Sequence, residues 1–399
     1  MSLSQVETIV RLAGRGDGVT ESGRFVPLAA PGDGVTADGS VLPGPHHVKP
    51  PCRHFPECGG CQLQHLDDES FGAFLRDRIA GALGAQGLAG IDILPAHISP
   101  PNSRRRASLR AERRGKQVLI GFNAEQSHRI VDMHECHILR PELFALVPAL
   151  RPLLARMLPA RGQGGVRMSL TDQGVDLLLE KVEADDLSSS EALTAFAQAH
   201  RLARLSIDDG YGPQTRWEPD PVTVTLGGAP VPLPHNAFLQ ATLEGEASLV
   251  AAVRDAIGGA RIVADLFAGL GTFALSLDGR VLAVEGARDA ALALKAAANR
   301  SQRQLFVDHR DLFRRPLTTD EANRFEAIIL DPPRAGAKDQ VPLLAAAKVP
   351  RIAYVSCNPG TFARDAKALV DGGYRLEWVK PVGQFRWSTH VELVASFAR

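Results

Sequence analysis

A chain of 399 residues that is 45% hydrophobic and 23% charged can bury more than one core, so two or three domains are expected. Its 45 basic and 45 acidic residues cancel, which excludes a globally basic field for nucleic acid and leaves that task to local patches. No run approaches the length of a membrane span. The opening MSLSQVETIVRLAGR has polar and charged residues where a secretory signal needs an apolar stretch, so no membrane partner and a cytoplasmic location are expected.

In chain order, residues 1–48 contain GRGDGVTESGRFVPLAAPGDGV, short β-favouring pieces separated by turn signals, which predicts a truncated small β-barrel-like module. Residues 49–95 carry the cysteine-rich CRHFPECGGC and then FGAFLRDRIAGAL, whose apolar residues recur at helical spacing. His46, His47 and His54 flank these pieces and read as linker or surface histidines. Residues 96–225 mix alternating strands such as QVLIGFN and GVDLLLEKV with the helical PELFALVPALRPLLARML, which predicts an α+β central domain. That domain holds NSRRRASLRAERRGK, in which Arg104, Arg105, Arg106, Arg110, Arg113, Arg114 and Lys116 are opposed by Glu112 alone. Such a segment either grips nucleic-acid phosphates or blunts a strand edge. From 226 to 399 the pattern is α/β: ARIVADLFAG, RVLAVEG, FEAIILDPP and RIAYVSCNPG are apolar runs that each end in a polar loop, as buried parallel strands of a doubly wound sheet do.

The five cysteines are unevenly placed. Cys52, Cys58 and Cys61 crowd together, Cys136 stands in HECHI, and Cys357 lies in SCNPG. An odd count in a long chain without a visible signal argues against a disulfide framework. Gly59 and Gly60 allow a tight turn that aims thiolates at one centre, and Cys136 can supply a fourth ligand, a set that suits zinc or a [4Fe–4S] cluster.

Asp265 ends one strand, and Gly269 and Gly271 follow in a turn where a nucleotide can approach the backbone. GLGTFA also fits the dinucleotide pattern G-x-G-x-x-A, while Glu285, ending the next strand, stands where a ribose would be held, so a nucleoside cofactor is expected without its identity. The Asp331–Arg334 run DPPR and the loop SCNPG converge on the same sheet edge. Cys357, at a strand end before a helix, is a candidate thiolate nucleophile with a lowered pKa. Near the C-terminus STHVEL offers Glu392 or His390 as a base, and spacing does not choose between them.

Together these motifs resemble the RNA uracil-5 methyltransferase family, which forms 5-methyluridine with S-adenosylmethionine. The resemblance runs from about residue 50 to the end, through C-x5-C-x2-C with Cys136, RRRASL, IGF, FLQ, DLFAGLGTF, VEG, LDPPRAG, SCNPGTFARD and HVEL. It implies a C-terminal class I (Rossmann-like) methyltransferase domain and a [4Fe–4S] cluster on Cys52, Cys58, Cys61 and Cys136. It also implies cofactor contacts from Gln240, Asp265, Phe267, Gly269, Gly271, Glu285, Asp311 and Asp331, a nucleophile at Cys357 and a base at Glu392. The base must leave the RNA stack to be reached, which suits a central domain gripping RNA through Arg104, Arg105, Arg106 and Arg110. The shortened N-terminal module departs from the family's full barrel, and by resemblance 23S ribosomal RNA is preferred over transfer RNA. A monomer is expected. Two other classes fit part of the pattern: a dinucleotide-dependent oxidoreductase with an iron–sulfur relay, and a non-catalytic RNA-binding protein.

Overall fold

The computed structural model describes residues 6–399; residues 1–5 of the expected N-terminal module lie outside the described residues. The chain forms two compact units. One combines the segment up to Lys49 with His65–Ser99 and Leu226–Arg399, and the other combines Pro50–Gln64 with Pro100–Thr225. The segment 49–95 is therefore divided. Its cysteine loop belongs with the central domain, whereas its helix Asp68–Gly84 buries Phe71, Phe74, Leu75, Ile79 and Leu83 against the C-terminal helix Pro359–Asp371 and strand Arg375–Gly383.

In the first unit, five short antiparallel strands run in the order Phe25–Val26, Gly18–Thr20, Glu7–Leu12, Gly34–Val35, Val41–Leu42. Their core is Ile9, Val26, Ala29 and Val35, too small to stand without added polar ties. One tie is Asp33, fully buried, which accepts hydrogen bonds from the backbone of Ala30 and Gly44, each at 2.7 Å.

The same unit contains a nine-stranded sheet, whose strands from Leu305–His309 run through Arg280–Glu285, Ile262–Leu266, Ala327–Leu330, Arg351–Ser356, Glu392–Ala398 and Arg375–Gly383 to short N-terminal pieces. The first five are parallel, and Glu392–Ala398 is antiparallel to both its neighbours. Val263, Ala264, Ile328, Ile329, Ile352 and Ala353 are fully buried, which explains why these strands read as unbroken apolar runs. The order reverses beside Ile262–Leu266, so the loops after that strand and after Ala327–Leu330 and Arg351–Ser356 open a cleft at one end of the sheet.

In the second unit a six-stranded sheet is ordered Gln214–Trp217, Arg204–Asp208, Gly174–Glu180, Gln163–Thr171, Arg106–Arg114, Gln117–Gly121. Helices Leu146–Met157 and Leu187–Ala199 contribute to its core, as the α+β reading expects. Along Arg106–Arg114 the alternation is strict at first: Ala107, Leu109 and Ala111 face the core, Ser108 and Arg110 face solvent.

Candidate active site

The glycine loop after Ile262–Leu266 is held from below and from the side. Asp265 is fully buried: Oδ2 accepts from the Ala274 backbone at 2.9 Å, and Oδ1 has no protein partner among the described residues. Burial first, then the charge of Asp331, raises its pKa well above the usual carboxylate range. Glu285 accepts from the backbone N–H of Gly269 at 2.7 Å and of Ala287 at 2.6 Å. Gly271 has φ +91°, and a Cβ there would stand 2.3 Å from Leu294 Cδ1, so only glycine fits. Gly269, at φ +55°, faces open space instead. Asp311 Oδ1 accepts from the Phe313 backbone at 2.9 Å, and the rings of Phe267 and Phe313 lie 5.5 Å apart. Phe313, which the sequence reading passed over, thus joins Phe267 in an aromatic wall beside the loop.

Cys357 and Glu392 meet through strand register. Ser356 pairs with Leu393 across antiparallel strands, so continuing that ladder by one step sets Cys357 opposite Glu392. Asp331 and Arg334 complete the group from the loop after Ala327–Leu330. Glu392 is 7% exposed, and burial, with the charge of Asp331 adding, pushes its pKa up to about 8. Burial alone raises Asp331, partly open to the cleft, to about 7. The lowered pKa expected for Cys357 is not found. The thiol is half-buried beside Glu392 and Asp331, so desolvation and two carboxylates raise it, opposed by the Arg334 guanidinium. His390, the rival base, is exposed and shares a 3.1 Å hydrogen bond with Arg334.

The two loops at this sheet edge are tied together. Asn358 Nδ2 and Thr361 Oγ1 donate to the Arg334 carbonyl at 3.2 and 3.1 Å. Buried Asp365 accepts from the Ala337 backbone at 2.8 Å and from the Tyr354 hydroxyl at 2.6 Å. Gln240 and Gln384, both buried, share a 2.7 Å side-chain hydrogen bond. Gln384 carries no motif signal, since an isolated amide in GQFRW gives no sign of being buried.

In the second unit, Cys52, Cys58, Cys61 and Cys136 line a single cavity together with Phe55, Phe122, Met133 and Arg104, and none is in a disulfide. Burial raises all four thiols, Cys61 up to about 12, the position of neutral thiols waiting for a charge to balance them. Gly59 is required here by proximity, not by a left-handed turn: a Cβ would stand 2.7 Å from the Asn123 carbonyl oxygen. Among the described residues, three or more potential ligand atoms lie within 4.8 Å of one another at His46, Asp67 and Glu69, and not at the cysteines.

Residues 235–397 match the family model for tRNA (uracil-5-)-methyltransferase. An uncharacterised RNA methyltransferase of Zymomonas mobilis is 54% identical over 99% of this chain and 100% of its own length. The 23S rRNA (uracil(1939)-C(5))-methyltransferase RlmD of Halomonas elongata is 32% identical, covering 86% of this chain and 75% of the relative. The chain belongs to the RNA uracil-5 methyltransferase family. Its fold is that of a solved structure, the Pyrococcus abyssi tRNA (uracil-54, C5)-methyltransferase in complex with S-adenosyl-L-homocysteine, with a TM-score of 0.77 at 22% identity over 98% of this chain and 99% of that one.

As an S-adenosylmethionine-dependent RNA (uracil-C5) methyltransferase on a class I fold, the chain is neither of the alternative classes. The G-x-G-x-x-A match is the glycine loop of a methyltransferase. The basic segment is divided by burial. Arg105 is buried at 5% exposure, Arg104 lines the thiol cavity with its Nε donating to the Arg106 carbonyl at 3.1 Å, and Arg106 is half-buried, so these three do not form an exposed phosphate clamp. Arg104 and Arg105 precede the strand Arg106–Arg114, whose inward positions are Ala107, Leu109 and Ala111, and Arg110 on its outward face remains exposed. No helix among the described residues is long and apolar enough to cross a membrane.

Proposed function

We propose that this enzyme methylates C5 of a uridine in 23S ribosomal RNA through a covalent bond between Cys357 and uracil C6. The observation that carries the reading is the pairing of Cys357 with Glu392 across neighbouring strand ends, with Arg334 and Asp331 beside them. Uracil C5 is a weak nucleophile until a thiolate adds at C6 and moves electron density onto C5. Arg334 is the cation that favours the Cys357 thiolate, and the half-buried sulfur can lose its proton to water. When bound, S-adenosylmethionine supplies the methyl group from an electron-poor sulfonium. Gln240, the Gly269–Gly271 loop, Glu285 and the Phe267–Phe313 wall are the side that would hold it, with Asp265 and Asp311 acting by fixing those loops. After C5 carries the methyl group, Glu392 takes the C5 proton, the C5–C6 double bond re-forms and the Cys357 sulfur leaves.

Ribosomal RNA is favoured by the similarity to RlmD, whose printed substrate is 23S rRNA. The four-thiol cavity supports a [4Fe–4S] cluster on Cys52, Cys58, Cys61 and Cys136. Exposed Arg110 is the remaining candidate of the basic segment for a phosphate contact. Two variants test the chemistry on denaturing gels with labelled RNA. Cys357→Ala binds RNA and cofactor but forms no adduct, whereas Glu392→Gln methylates and then stalls with protein attached to RNA. Full turnover by Cys357→Ala ends the mechanism, and rapid release by Glu392→Gln removes the base role from that residue. Mass mapping of modified uridines in ribosomal and transfer RNA from cells lacking the gene decides the substrate.

A further inference from the structure

At one side of the nine-stranded sheet the parallel strands Ile262–Leu266, Arg280–Glu285 and Leu305–His309 lie in that order, with Leu305–His309 outermost. Ile262 pairs with Arg280 and Leu282 with Phe306. Partners across a ladder share a face and so do residues two apart, so these four side chains stand on one face. On the other face Val263, Val281 and Ala283 are fully buried or nearly so. On the first face Ile262 and Leu282 are half-buried, Arg280 is exposed and Phe306 is 70% exposed. Together with Phe325, Arg303 and Arg324 they line an open groove. Ile262 and Arg280 begin their strands, whereas the glycine loop and Glu285 stand at the far ends. A five-residue strand at about 3.3 Å per residue sets about 16 Å of sheet between groove and cleft, so the groove is a site apart.

We propose that this groove binds a single-stranded segment of the RNA substrate outside the target nucleotide, with a base stacked on Phe306 and phosphates held by Arg280 and Arg324. The inference needs the family membership, and neither the Cys357 chemistry nor the choice of ribosomal RNA. Charge decides the class of partner. The whole chain is neutral, yet this groove gathers three arginines. Arg303 is fixed in place, its Nη2 donating to the Gly227 carbonyl at 2.8 Å. The side chains of Arg280 and Arg324, both exposed, make no hydrogen bond or ion pair among the described residues. Of the neighbouring carboxylates, Glu326 accepts from the backbone N–H of Arg261 at 2.6 Å and of Ile262 at 3.2 Å, and Asp278 stands 3.9 Å from Arg303. Two guanidiniums without a counter-charge around an exposed ring suit a nucleic-acid strand, because every base has a face that stacks on an aromatic ring and a phosphate accepts the forked donors of arginine. A second copy of this chain fits less well, since a two-fold contact would bring the same arginines face to face.

The test measures binding of an unstructured, fluorescently labelled oligouridine to the full-length enzyme by anisotropy, over a series of salt concentrations. Phe306→Ala should weaken binding about tenfold, the scale of one lost base stack, and Phe306→Tyr, which keeps a ring, should bind as the parent does. Arg280→Gln and Arg324→Gln should each lower the salt slope by about 1. Methylation at saturating RNA should keep the parent rate in all four variants, because the groove lies away from the cleft. Unchanged affinity and salt slope in the Ala and Gln variants overturn the proposal, and so does a loss in Phe306→Tyr equal to that in Phe306→Ala. A parent that sediments as a dimer, with Phe306→Ala a monomer, assigns the groove to a second copy and overturns it as well. The readout is binding, so an inactive Cys357→Ala enzyme should show the same Phe306 dependence; failure of the proposed chemistry thus leaves this inference standing, and its own failure leaves the chemistry untouched.

Discussion

Replacing Glu392 with Gln should make the protein more stable, by an amount that grows with pH. The Glu392 carboxyl is 7% exposed and its pKa rises from 4.5 to about 8. Between those values the unfolded chain ionises the group while the folded site keeps its proton, so the unfolded state gains free energy at about 1.4 kcal/mol per pH unit. The penalty is absent below pH 4.5, accumulates as pH rises and levels off above about 8. The full window would amount to about 5 kcal/mol, an upper bound that coupling to Asp331 reduces to roughly 2–3 kcal/mol. Glutamine carries no charge in either state and escapes the penalty. Parent and Glu392→Gln should therefore melt together near pH 5, apart from a constant offset, and diverge toward pH 8. With about 2–4 °C per kcal/mol for a domain of this size, the gap at pH 8 should reach roughly 4–12 °C by scanning calorimetry without RNA. A gap that stays constant with pH, or closes as pH rises, refutes the reasoning. The destabilised carboxylate is then the cost of keeping a base inside a dry pocket.

Three further outcomes follow from named residues. Anaerobically purified protein should be brown and contain iron and sulfide, and Cys136→Ser should lose both; stoichiometric zinc without iron would refute the cluster. Gly271→Ala should destabilise by about 1–3 kcal/mol in thermal melts, because its Cβ meets Leu294 at 2.3 Å and the left-handed φ adds strain; an unchanged melting temperature would show that the loop relaxes. Arg110→Gln should weaken RNA binding and reduce the salt slope by about 1, whereas Arg105→Gln should lower stability by about 1–3 kcal/mol. Equal salt slopes for both would contradict their different burial.

Local sequence was enough to place the loops that gather at the sheet edge and the group of cysteines that shares one cavity. Strands that end in DLFAG, VEG, DPPR and SCNPG announce themselves because a fully buried parallel strand must be apolar along its length and the loop after it must be polar. The cysteine spacing marked one place for the same kind of reason: three thiols within ten residues, set around Gly59 and Gly60, line a single cavity with Cys136. What these signals share is that the cause lies within a few residues of the effect.

Tertiary structure decided everything that depends on register or on which way a side chain turns. Spacing does not separate Glu392 from His390, whereas the antiparallel pairing of Ser356 with Leu393 leaves Glu392 buried opposite Cys357 and His390 outside against Arg334. The Cys357 thiol is raised, not lowered, because carboxylates from two other strand ends converge on it, and charge proximity of that kind is invisible along the chain. Gln384 gained its partners Gln240 and Ala241 from 144 and 143 residues away. The arginine run shows the reverse: its composition promised one basic surface, but Arg104 lines the thiol cavity and Arg105 is buried just before the strand Arg106–Arg114 begins, a placement set by packing and not by composition.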